Sequence, residues 1–222
     1  MIKNIVFDIG MVLVDFRWID YLRDRGLTEE EIGIVGRETI LSPTWKEMDL
    51  GARPEEELIK EMKGRLAGLE EKADYLFKDN AELVRPFEGN REWFMRLKKE
   101  GFSIYLLSNY PKNMFATHAQ YSFDFMDLID GLVVSSHVKL LKPCREIYDK
   151  LLETYRLKAK ECVFLDDREE NTAAAEKLGF RTVTVKNRCQ AVNDLDNIIK
   201  ACNSKKNMVF YACENALTDQ GM

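Results

Sequence analysis

Four short apolar runs, each followed by a polar break, constrain this 222-residue chain more than any other feature. Ile5-Val6-Phe7 stops at Asp8, the run from Phe102 to Leu107 stops at Ser108-Asn109, and Val163-Phe164-Leu165 stops at Asp166-Asp167. Gly131-Leu132-Val133-Val134 is followed by Lys142-Pro143. Runs of β-branched and aromatic residues of this length read as buried strands. From Asn90 onward the pattern predicts helices over 90–100, 112–121, 145–156, 169–178 and 190–200, and strands over 102–107, 131–134, 162–165 and 181–185. Strand and helix in turn imply an α/β fold with a doubly wound parallel sheet. The length suits one such domain with a modest insertion.

In open parallel sheets ligands bind in the crevice beyond the carboxyl ends of the strands, so Asp8 is a candidate for chemistry. On its own segment it is equally a turn residue or a helix cap. The distant Asp166-Asp167 pair shifts that balance. Two adjacent carboxylates repel each other unless a cation lies near, and beside Asp8 they would make a hard, oxygen-lined Mg2+ site.

In these residues the sequence resembles the haloacid dehalogenase-like (HAD) hydrolase superfamily, over about residues 1 to 200. The first family motif corresponds to Asp8-Ile9-Gly10-Met11-Val12, the second to Ser108, the third to Lys142 in Lys142-Pro143-Cys144-Arg145-Glu146-Ile147-Tyr148, and the fourth to Asp166-Asp167 with Asn171. Motifs gain force from order and structural context, and here all four follow strand-like runs in the right order. The resemblance implies a Rossmannoid core and a Mg2+-dependent phosphatase with an aspartyl-phosphate intermediate on Asp8. It assigns catalytic roles to Asp8, Ser108 and Lys142, and substrate contacts to Ser108, the Asn109 N–H and Lys142. It assigns Mg2+ to the Asp8 carboxylate, the Gly10 carbonyl and Asp167, with Asp166 and Asn171 orienting these groups from behind. Lys142 before a proline could otherwise be a solvated loop lysine.

One position departs from the family pattern. Gly10 stands where the family has a second Asp that protonates the leaving group and later activates water. The metal site survives, because that residue contributes its backbone carbonyl, but a general-acid contribution of typically ~10²- to 10⁴-fold does not. Three readings follow: a phosphatase for good leaving groups, an acid supplied elsewhere, or a member with impaired turnover. The α-D-glucose-1-phosphatase-like branch also carries Asp-x-Gly here. The resemblance thus favours a small phosphorylated metabolite with a good leaving group, with a sugar phosphate as the candidate.

Between about Asp15 and Arg85 the sequence turns charged and helix-favouring, with starts at Thr28-Glu29-Glu30-Glu31 and Pro54-Glu55-Glu56-Glu57 and a third helix from Leu69 to Val84. The resemblance makes 15–85 a small helical cap inserted in a core of 1–14 and 86–201, with 202–222 as a tail. Such a cap excludes water and reads the substrate beyond the phosphate. Arg17, Trp18, Trp45 and Lys46 are its candidate substrate contacts, although Trp45 suits packing between helices as well. His137 is a candidate for proton chemistry in place of the absent Asp, and Tyr110 for the pocket mouth.

A net charge of −5 gives no basic field for nucleic acid or an anionic membrane. Neither partner is expected; the expected partner is a small phosphorylated metabolite. Five scattered cysteines without a Cys-x-x-Cys fit reduced thiols. With no leader or membrane run before the first strand, the expected location is cytoplasmic. Two alternatives stay open. A haloacid dehalogenase uses the same nucleophilic Asp but needs no Mg2+, so the Asp166-Asp167 pair speaks against it. A weakly active phosphometabolite-binding or interaction protein is kept open by Gly10 and disfavoured by the four intact polar positions.

Overall fold

A computed structural model describes residues 1–78 and 80–202. Strand β1 (Asn4–Phe7) is buried at every residue. The chain then forms β2 (Val14–Phe16) and five helices: α1 (Trp18–Asp24), α2 (Glu29–Glu38), α3 (Pro43–Leu50), α4 (Glu55–Lys63) and α5 (Glu70–Phe77). It returns through β3 (Val84–Pro86), which pairs antiparallel with β2. Next come α6 (Asn90–Lys99), β4 (Ser103–Ser108), α7 (Lys112–Tyr121), β5 (Gly131–Val134) and the single turn α8 (Ser135–Val138). The chain continues through α9 (Arg145–Thr154), β6 (Cys162–Asp166), α10 (Glu169–Lys177) and β7 (Arg181–Thr184) to a helix over 188–202.

The five main strands form one parallel sheet in the order β5-β4-β1-β6-β7. The chain winds outward from β1 to β5, then crosses to β6 and winds the other way, so β1 lies at the topological switch point. Alternate residues feed opposite faces. Ile5, Phe7, Ile104, Leu106, Val163 and Leu165 join one core, while Val6, Tyr105, Leu107, Val133 and Phe164 join the other. On the first face Phe7 meets Trp93 and Phe94 of α6 at ring-centroid distances of 5.0 and 4.9 Å. On the second, Tyr148 of α9 meets Phe164 at 5.8 Å. Each such buried side chain contributes ~1.5–3 kcal/mol relative to exposure. Both faces of β1 are thereby anchored, and its carboxyl end is held in place.

The alternation after Asn90 matches the sequence-based expectation to within a few residues at most ends. The segment before it does not match in full. The small β2–β3 sheet, with Val14 opposite Pro86 and Phe16 opposite Val84, lies where the sequence suggested only the junctions of a core of 1–14 and 86–201 with a cap of 15–85. Three-residue strands carry too few side chains to show a period. The helix expected from Leu69 to Val84 ends at Phe77. There Asn80 Nδ2 donates to the Leu76 carbonyl at 3.2 Å and closes the last turn. The start at Thr28 is a full capping box with Glu31.

Among the described residues no helix is long and apolar enough to cross a membrane. Cys144, Cys162, Cys189 and Cys202 are free thiols. Of the expected tail, 202–222, Cys202 belongs to the helix over 188–202, and the rest, with Cys213, lies outside the described residues.

Candidate active site

Asp8 follows β1 directly. Its backbone N–H donates to the Leu165 carbonyl at 2.8 Å, which fixes it beside the end of β6. The two oxygens of its carboxylate are in different situations. Oδ1 accepts from the Ile9 N–H and from Ser108 Oγ, both at 2.7 Å, and lies 2.9 Å from Lys142 Nζ. Oδ2 accepts no hydrogen bond from any described residue. One oxygen thus locks the carboxylate in place and the other stays available to a ligand.

Lys142 also contacts Asp166 Oδ2, at 2.6 Å, and its side chain is 1% exposed. Burial works against its charge, but Asp8 and Asp166 together outweigh burial and hold its pKa above the ordinary lysine value. The Lys142 loop is fastened to β4 through Asn109, whose Nδ2 donates to the Lys142 carbonyl at 3.0 Å and whose Oδ1 accepts from the Lys142 N–H at 2.9 Å. The Asn109 side chain is therefore committed to holding Lys142. Its own backbone N–H donates to no described residue and is the atom left for a ligand.

Asp166 is fully enclosed. Its oxygens accept from the Arg168 N–H at 2.9 Å and from Asn171 Nδ2 at 2.9 and 3.1 Å, besides Lys142. Asn171 is backed in turn by Tyr148, whose hydroxyl donates to the Asn171 carbonyl at 2.9 Å. Asp167 is only half-buried. Burial, and then the neighbouring Asp166, raise its pKa against the weaker pull of Lys142 and Arg168. Burial, followed by repulsion from Asp166, lifts Asp8 to about 6 against the pull of Lys142.

Carboxylate oxygens of Asp8, Asp166 and Asp167 lie within 4.8 Å of one another. The Gly10 carbonyl beside them accepts no hydrogen bond from a described residue. An all-oxygen set with more carboxylates than lysines fits a hard divalent cation such as Mg2+. Until a cation neutralises it, the same excess charge repels an anionic substrate.

These groups line a cavity of about 200 Å3. Asp8, Gly10, Ser108, Asn109, Lys142, Asp167 and Asn171 lie on its sheet side, and Trp45 lines it from α3. Trp45 also packs on Phe16 and Phe77, at ring-centroid distances of 6.4 and 6.3 Å, so it is at once core and cavity wall. Tyr110 lines the cavity too. Arg17, Trp18, Lys46 and His137 do not; Arg17 pairs with Asp24 and His137 packs edge-on against Phe115.

The sequence reading missed Asp49. It comes from the last turn of α3 and lines the same cavity as Asp8. Its carboxyl forms no hydrogen bond or ion pair with a described residue. Burial, and then the charge of Asp8, raise it to about 7 against the attraction of Arg168 and Lys142. Its backbone is tightly held, because the Asp49 carbonyl accepts from Ser135 Oγ, which itself accepts from the Tyr110 N–H at 2.9 Å. One local signal was available: an acidic residue in the last turn of a helix opposes the helix dipole, and such a violation often marks function.

A family model described as haloacid dehalogenase-like hydrolase matches residues 2–179. A D-ribitol-5-phosphate phosphatase from Bacteroides thetaiotaomicron is 29% identical over 218 residues, covering 90% of this chain and all of that protein. A sesquiterpene phosphatase from Aspergillus oryzae is 25% identical over 178 residues, 80% of this chain and 87% of that protein. In structure, the chain is similar to a HAD family enzyme from B. thetaiotaomicron in complex with magnesium and inorganic phosphate. That likeness has a TM-score of 0.67 at 23% identity and covers 84% of this chain and 95% of that one.

Proposed function

The chain belongs to the haloacid dehalogenase-like hydrolase family, and on that premise we propose that it is a Mg2+-dependent phosphatase that passes the phosphoryl group of a small monoester to Asp8 and then to water. The observation that carries this reading is the asymmetry of Asp8, with Oδ1 held by Ser108 and Lys142 and Oδ2 left free. Both relatives named above are phosphatases, which supports phosphate ester hydrolysis over dehalogenation. The structural relative bound to magnesium and phosphate supports the choice of metal and ligand.

In the proposed reaction Oδ2 bonds to phosphorus as the ester P–O bond breaks. Lys142 and Ser108 keep Asp8 aimed, and the Asn109 N–H receives a phosphoryl oxygen. Asp8, the Gly10 carbonyl and Asp167 are the residues assigned to hold Mg2+, and Asp166 and Asn171 orient Lys142 and the loop that carries Asp167. When bound, the ion offsets the charge of the anionic nucleophile and substrate. The departing alkoxide takes its proton from Asp49, which holds one near neutrality. Asp49 then accepts a proton from the water that hydrolyses the aspartyl phosphate. This is the acid that Gly10 does not provide.

Phosphate release from a panel of monoesters, with Mg2+ or with EDTA, tests the reading. Mg2+-dependent release that disappears in Asp8→Asn supports it. Release that survives EDTA, or that Asp8→Asn retains, rejects it.

A further inference from the structure

The cavity above Asp8 is divided. The lining residues at the ends of the sheet strands, its floor, are charged and amide groups, whereas most of the others, its wall, are apolar. That wall is built by Val14 and Phe16 of β2, Val84 of β3, Trp45 of α3, Met114 of α7 and Tyr110. Tyr110 presents only its ring. Its hydroxyl donates to His118 Nδ1 at 2.6 Å, while His118 Nε2 donates to the Asn80 carbonyl at 2.7 Å. Trp45 is fixed between Phe16 and Phe77. Asp49 lines the cavity with both sets and feels the charge of Asp8. Arg168, also in the lining, is paired with Glu170 at 2.5 Å.

A substrate places its phosphate on the floor and its alcohol against this wall. Hydroxyl groups brought there lose water and find only the Asp49 carboxyl, which the proposed reaction commits to the leaving-group oxygen, whereas carbon atoms lose nothing. The cavity is smaller than the ~300–1,000 Å3 typical of sites for drug-sized ligands, so the alcohol is also short. We infer that the substrate is the phosphate monoester of a small, largely apolar alcohol, alkyl, prenyl or aryl, and not of a sugar or polyol. The inference deepens the phosphatase reading and rests on it. It also separates the two relatives, whose printed substrates differ in this respect, and it departs from the sugar phosphate expected from the resemblance.

The test compares 3-methylbutyl phosphate and 2-phenylethyl phosphate with ribitol 5-phosphate and glucose 6-phosphate, all esters of primary alcohols. Polyols are the slightly better leaving groups, so leaving-group acidity cannot produce a preference for the apolar esters. Acetyl phosphate, with almost no organic part, reports phosphoryl transfer alone. With Mg2+ present, kcat/KM for the apolar esters is expected to exceed that for the polyol esters by at least tenfold. A single unpaired hydroxyl in an apolar pocket is commonly worth up to ~10²-fold. Met114→Gln and Val84→Asn are each expected to reduce the ratio of kcat/KM for 3-methylbutyl phosphate over ribitol 5-phosphate by at least fivefold. Because both esters are read on the same variant, a folding defect does not change that ratio. Binding of the two esters to Asp8→Asn, followed by calorimetry, should show the same order without turnover. Equal or higher kcat/KM for polyol esters, or a ratio unmoved by both wall variants, overturns the inference and leaves the phosphatase reading intact if acetyl phosphate is hydrolysed. No hydrolysis of any ester, with the apolar one still bound at least tenfold more tightly, rejects the phosphatase reading and supports the cavity argument.

Discussion

Lys142 Nζ lies 2.9 Å from Asp8 Oδ1 and is almost wholly buried, as is the Asp166 carboxylate that shares it at 2.6 Å. One ammonium thus bridges two carboxylates that would otherwise face each other in a low-dielectric interior. Lys142→Met removes the bridge and keeps the bulk. Breaking a buried ion pair by deleting one partner typically costs ~3–5 kcal/mol, so the variant is expected to unfold at clearly lower urea concentration. It should also lose phosphate release by at least ~10²-fold, the scale of one lost electrostatic contact to the reacting groups. A midpoint within error of the parent would mean that the lysine is solvated after all.

Asp49 and Gly10 give a paired prediction. Asp49→Asn should slow first-turnover cleavage of alkyl phosphates by ~10²-fold or more and leave the first-turnover burst of p-nitrophenol from p-nitrophenyl phosphate, whose leaving group needs no proton, within a few fold. A Cβ on Gly10 meets nothing within 4 Å, so the backbone there leaves room for a side chain. In the Asp49→Asn background Gly10→Asp should restore at least tenfold of the lost rate. Equal losses of first-turnover rate on both classes of ester would show that Asp49 positions other groups and donates no proton.

Metal dependence should separate Asp167 from Asp166. Asp167 is half-buried and outside the Lys142 ion pairs, so Asp167→Asn should fold normally and need at least ~10-fold more Mg2+ for half-maximal rate. Asp166→Asn weakens the partner of a fully buried lysine and should lower the unfolding midpoint as well. Titration of rate against Mg2+, alongside urea melts, distinguishes the two. Identical behaviour of the variants would contradict the division of roles.

His118 sets an acid limit. Burial lowers its pKa to about 4, against ~6.5 when unfolded. The folded state therefore binds fewer protons than the unfolded state between these values. Stability from this group is complete above pH 6.5 and is lost as pH falls toward 4, in total ~3 kcal/mol. Urea midpoints between pH 7.5 and 4.5 should fall less steeply for His118→Gln than for the parent. Parallel curves would show that other groups account for the acid sensitivity.

Gly51 caps α3 at φ +66°, and a Cβ there would meet the Ser136 carbonyl oxygen at 2.6 Å. Only glycine meets both demands. The left-handed conformation alone costs Ala ~1–2 kcal/mol, and the backbone clash adds to it. Gly51→Ala should lower Tm by several degrees. It should also reduce kcat, because α3 carries Trp45 and Asp49 to the cavity. A stable variant with unchanged kcat would mean that the end of α3 moves without consequence for the site.

The sheet and its functional ends were legible because their signals are local. An apolar run such as Ile5-Val6-Phe7 with no hydrophilic face can be buried only on two sides, and the polar residue that stops it falls at the strand's end. Asp8, Ser108, Asp166 and Asp167 are readable in this way, and Lys142 follows from its order after the third run along the chain. Gly10 was legible as a departure for the same reason, since it lies inside a short motif of fixed spacing.

The sequence by itself thus determined the parallel α/β core, the family and the set of polar residues carried to one edge of the sheet. Only the tertiary structure decided what faces them. Val14, Phe16 and Val84 come from strands too short to show a period, and Asp49 comes from a helix whose pattern reports only its buried face. Their meeting over Asp8 depends on the β2–β3 pairing and on the close approach of Gly51 to Ser136, contacts between residues about seventy and eighty-five positions apart. Local propensity carries no information about such contacts. They are fixed by which apolar surfaces can be buried together once the whole chain is in place.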